Sequence, residues 1–149
     1  MQRQGFWIAS LAFSVVLGCS GSGGMATAAA QGLMGEMGGM GSMSKLAGSF
    51  LQTSAADSRL SGLMNADDAD AMQPKLSNQF CSMLGGGCAA PLSEDQIAKG
   101  AEKVTPAQSD VLKEDFGKSL GGMNFSSALQ DAVKQAVAPK LPGIIGALL

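Results

Sequence analysis

From Leu46 onward the apolar residues of this chain recur at intervals of three and four, the spacing of one face of an α-helix. Leu46, Phe50 and Leu51 begin the pattern, and Leu60, Leu63 and Met64 follow Asp57. Ala69, Met72, Leu76, Phe80, Met83 and Leu84 form a longer stripe, which Gly85-Gly86-Gly87 ends. Pro74 is tolerable only in a first turn, so that helix is expected to start near Asp70. Ser93 and Gln96 make a capping box, with Leu92 and Ile97 at the positions of a hydrophobic staple. The helix they open should turn Ile97, Ala101 and Val104 inward. Thr105 caps the next helix, and Pro106 takes its first position, where a missing N–H costs nothing. Leu112, Phe116 and Leu120 carry that stripe as far as Gly121-Gly122. Phe125, Leu129, Val133, Ala136 and Val137 mark a last amphipathic helix, halted by Pro139 and Pro142. Sustained alternation of the β type is missing throughout. The pattern predicts an all-α domain, a small bundle of about four to six short amphipathic helices.

Leu76, Phe80, Leu84, Gly85 and Gly86 match Leu112, Phe116, Leu120, Gly121 and Gly122 at a constant offset. Two amphipathic helices that each end in Gly-Gly will match in this way by chance, and we favour that over an ancient duplication.

The amino-terminal pattern is different. Phe6 through Leu17 is an apolar run without a charge, preceded by Arg3. It is short of the roughly 20 residues that span a bilayer and within the about 7–15 of a secretory h-region. The run closes on Val16-Leu17-Gly18-Cys19, which resembles the lipobox of bacterial lipoproteins. That resemblance covers only the first twenty or so residues. It implies S-acylation of Cys19, with removal of residues 1–18 as a signal peptide and acylation of the new α-amino group. Ser20, in place of the aspartate that marks inner-membrane retention in many such proteins, implies sorting to the outer membrane. Ordinary cleavage after Ala28-Ala29-Ala30 is a second reading, set back by its distance from the apolar run.

Between this signal and the first helical stripe, residues 19–43 are rich in Gly, Ser, Ala and Met. So many glycines make a helix costly in backbone entropy, so a flexible tether is expected. The helical domain would then occupy residues 44–141. An apolar tail, 142–149, follows it and is expected to dock against the domain; left exposed, it would be a patch for a partner or the membrane surface.

Composition narrows the chemistry. With 10 basic and 12 acidic residues and no basic cluster, the chain has no electrostatic footprint for nucleic acid. Histidine is absent, which removes the commonest general base and the Ser-His and Cys-His arrangements, so no enzyme is expected. The acids Asp67, Asp68 and Asp70, Glu94 with Asp95, and Glu114 with Asp115 suit helix starts and solvated faces. Lipidation of Cys19 would leave Cys81 and Cys88 as a pair. In an oxidising periplasm these would join, and so short a loop contributes about 2–3 kcal/mol.

One candidate ligand set stands out. Met34, Met37, Met40 and Met43 repeat every three residues, and thioethers are soft ligands that select Cu(I) or Ag(I) over zinc. The segment resembles the methionine-rich stretches of exported bacterial copper-handling proteins. The leading expectation is a non-catalytic envelope lipoprotein, anchored to the membrane at Cys19, that binds an envelope protein partner or serves as a scaffold. It would need no cofactor. The alternative is a periplasm-facing Cu(I)/Ag(I)-binding protein.

Overall fold

The computed structural model describes residues 28–149, so the apolar run and Cys19 lie outside the described residues. Helix α2, Met40–Ala56, is a central element of the core. One side packs along α3 (Ala66–Met83) and another along α5 (Pro106–Gly121). A 3₁₀ turn, Ser58–Leu60, joins α2 to α3 and leans on α5. The short α1 (Ala28–Glu36) lies against α6 (Ser127–Val137), and α4 (Glu94–Ala101) pairs closely with α7 (Leu141–Leu148). The described residues contain helices and no strand: the fold is all-α.

The core is built from the predicted stripes. Leu46, Phe50, Leu76, Phe80, Leu112, Phe116 and Leu120 are all fully buried. The Phe116 ring meets Phe50 edge-on at 5.8 Å between centroids and Phe80 at 5.6 Å. Such aromatic pairs add about 0.5–1.5 kcal/mol beyond the area they bury. Phe80 and Phe116, the matched residues of the sequence echo, thus touch, but their helices end differently. Gly85 takes φ 79°, and the Gly86 N–H donates to the Cys81 carbonyl at 2.8 Å, a Schellman ending. Gly122 caps α5 in ordinary right-handed geometry. The shared Gly-Gly therefore does two different jobs, in keeping with chance similarity.

Helix starts follow their capping residues. Ser93 Oγ accepts from the Gln96 N–H while Gln96 Oε1 accepts from the Ser93 N–H, and Thr105 and Gln108 repeat the arrangement. A third box, Asn65 with Asp68, moves the start of α3 back to Ala66 rather than near Asp70. Pro74 consequently sits inside the helix. It deprives the Asp70 carbonyl of its helical donor, on a stretch where both Asp70 and Pro74 are exposed to solvent. Ala101, expected inward, is exposed, because α4 ends there.

Two further expectations change. Pro142 does not halt the last helix; it opens α7 from a first-turn position. The apolar tail is therefore a helix, docked with Leu141, Ile144 and Ile145 buried. Its glycines let it lie almost on the α4 backbone: a Cβ at Gly143 would collide with the Ile97 carbonyl. The expected flexible tether, 19–43, is also corrected where it is described. α1 and the start of α2 are helical, and packing extends back to Leu33. Leu33, Met34, Met37 and Met43 are buried, whereas Gly32, Gly35 and Gly41 face solvent. Burial of the apolar face outweighs the entropic cost of the glycines, since most helix stability in proteins comes from packing. Gly38 (φ 93°) and Gly39 (φ 82°) make the turn between the two helices.

Candidate functional site

The four methionines read as one ligand set are divided by the fold. Met34 in α1, Met37 in the turn that follows it and Met43 in α2 are core residues. Met40 alone is set outward, 42% exposed, at the first residue of α2. Thioether sulfurs pack well in irregular cores, which suffices to explain the three buried ones.

Met40 meets a second sulfur group. After α3, the chain loops from Leu84 to Leu92, and Cys81 and Cys88 come to disulfide-bonding distance, with Cα atoms 5.7 Å apart. Cys81 is buried and Cys88 half-buried. The Met40 Sδ lies 3.5 Å from the Cys88 Sγ. Met34 reaches the same loop from below, its Cγ placed beside Gly86. The loop has ties besides the cysteines: the Gly86 N–H bond to Cys81, and the Leu92 N–H donating to the Oε1 of buried Gln79 at 3.2 Å. Spacing in the sequence could not reveal the meeting of Met40 with Cys88, because it is made across α2 and the loop.

The largest charged constellation links the 3₁₀ turn to α5. The Arg59 guanidinium forks between Asp57 (2.7 Å) and Glu114 (3.2 Å). Lys118 bridges Glu114 (2.7 Å) and the buried Asp115 (3.3 Å). Hydrogen bonds from Arg59 hold the Asp57 carboxyl down at about 2. Arg59 and then Lys118 do the same to Glu114, also to about 2. Glu114, then Asp115, hold the Lys118 ammonium above its ordinary range. This is ion-pair scaffolding on an exposed face. Its one odd member is Asp115, whose Oδ2 is buried without a partner.

A third feature is an open groove of about 430 Å³ between α4, α5 and α7. Ile97, Val104, Pro106 and Pro142 form its apolar floor, and Lys113 stands at its edge. Lys140 bridges to Glu94 at 2.6 Å across the rim. Among the described residues, no three His, Cys, Asp or Glu side chains gather in a way that could hold a metal ion. No described helix is long and apolar enough to cross a membrane.

No protein-family model matches the chain, and no curated protein or solved structure is similar to it.

Proposed function

We propose that this chain is a bacterial envelope lipoprotein: a small helical domain anchored through acyl chains at Cys19 that acts by binding rather than by catalysis. The observation that carries the reading is the amino-terminal pattern, an uncharged run from Phe6 to Leu17 that ends in Val16-Leu17-Gly18-Cys19. Cys81 and Cys88 at bonding distance suit an oxidising compartment, where a short staple helps a domain with few large core side chains. The absence of histidine from the sequence weighs against acid–base or nucleophilic chemistry. The groove between α4, α5 and α7 is the surface we assign to an envelope protein partner.

The test is fractionation. Wild-type chain should sediment with membranes and incorporate labelled fatty acid, and Cys19→Ala should do neither. A Cys19→Ala chain that stays in the membrane fraction would count against the anchor.

Metal handling is the second reading. A single ion wrapped by Met34, Met37, Met40 and Met43 is disfavoured by the burial of three of these side chains.

A further inference from the structure

We propose that, once the Cys81–Cys88 bond is reduced, Cys81, Cys88 and Met40 form a three-sulfur site for a soft monovalent cation, Cu(I) or Ag(I). The site differs from the four-methionine set in ligands and in control: the disulfide closes it and reduction opens it.

Three observations support this. Met40 is the methionine left out of the core while its neighbours in the repeat are buried, and it is seated on the Cys88 sulfur at 3.5 Å. A trigonal site with metal–sulfur bonds of about 2.3 Å needs sulfurs ~4 Å apart, so Met40 is already near its ligand position. Cysteines with Cα atoms 5.7 Å apart can both reach one ion after small rotations. Finally, the loop is held near α3 by the Gly86–Cys81 and Leu92–Gln79 hydrogen bonds, neither of which depends on the disulfide. Reduction therefore frees two thiols without releasing Cys88. The exposed flank of Met40 and the half-buried Cys88 give the ion its way in, and buried Cys81 closes the inner side.

A dithiol reductant supplies two electrons and two protons to the S–S bond, yielding two thiols and the oxidised reductant. The cation then displaces both thiol protons, leaving two thiolates and one thioether around it. Two thiolates would also attract zinc, but zinc takes four ligands, and a three-sulfur set that includes a thioether suits monovalent copper or silver.

The experiment uses the full chain carrying Cys19→Ala, so that neither the third thiol nor a failed membrane anchor affects the result. Oxidised and anaerobically reduced forms, freed of reductant, are titrated with silver(I) nitrate and followed by native mass spectrometry. The reduced chain should take up one silver ion and the oxidised chain none at the same concentration. Met40→Leu should weaken uptake at least tenfold with its thiol count unchanged, and Met37→Leu should not alter it. Equal uptake by the oxidised chain, uptake surviving Cys81→Ser with Cys88→Ser, or unchanged affinity in Met40→Leu would each overturn the proposal. So would loss of the helical circular-dichroism signal on reduction, because the site depends on a fold that outlasts the S–S bond.

Discussion

Gly146 of α7 lies directly over the carbonyl of Gly100 in α4, so closely that a Cβ on either residue would enter the other helix's backbone. The two helices are thereby joined backbone to backbone, and the carboxyl-terminal segment is fixed to the domain. Gly146→Ala should force the helices apart, costing about 1–3 kcal/mol or more, the usual penalty for overpacking. Gly121, with open space around its Cα, is the control: Gly121→Ala should be neutral or slightly stabilising. Thermal melts of the two variants measure the difference.

Met37 and Met40 offer a sharper contrast, because they sit three residues apart in the same repeat. Truncating buried Met37 to Ala should cost about 2–5 kcal/mol, and Met40→Ala should stay within about 0.5 kcal/mol of wild type. Equal melting temperatures for the two would mean that α1 does not belong to the core.

Phe116 is the aromatic that both Phe50 and Phe80 touch. Phe116→Ala should destabilise by about 3–5 kcal/mol, enough to unfold much of a domain of ordinary marginal stability. Urea denaturation followed by far-ultraviolet circular dichroism tests this.

Stability should also fall in acid. The folded-state pKa values of Asp57 and Glu114 are depressed from 3.8 and 4.5 to about 2. Depressed carboxyls contribute stability above their unfolded values and lose it as pH falls through the folded ones. The loss should therefore run from about pH 4.5 down to about pH 2. Glu114 and Arg59 are solvent-exposed and Asp57 is only partly covered, so the effect should be modest and shrink at high salt. Arg59→Gln should flatten the pH dependence in that window, as read from melting temperatures in low-salt buffers.

Reduction should lower the unfolding free energy by about 2–3 kcal/mol, the chain-entropy value for a short loop, while the helical signal persists under native conditions. A melt with and without a dithiol reductant, on the Cys19→Ala background, gives the number.

The local code was readable to the extent that it was local. Ser93 with Gln96, and Thr105 before Pro106, start their helices as expected, since a cap needs only partners a few residues away. The three-and-four spacing likewise identified Leu76, Phe80, Leu112 and Phe116 as core, because one helix face sees one environment. Asn65 was the missed signal: with Asp68 three residues on, it is a capping box as clear as the other two.

By itself, then, the sequence determined the all-α class, the core faces of the central helices and the starts of α4 and α5, all of which depend on near neighbours. Only the tertiary structure decided the fate of the Gly/Met segment and of the carboxyl-terminal run. Local entropy argues against a helix at Leu33–Glu36, and burial against a surface distant in the chain reverses that balance. Pro142 reads as a stop in isolation, yet it opens a helix because Gly100, Gly143 and Gly146 let two backbones meet. The contact between Met40 and Cys88 belongs to the same class. It joins residues far apart in the chain, and no spacing rule reaches across that distance.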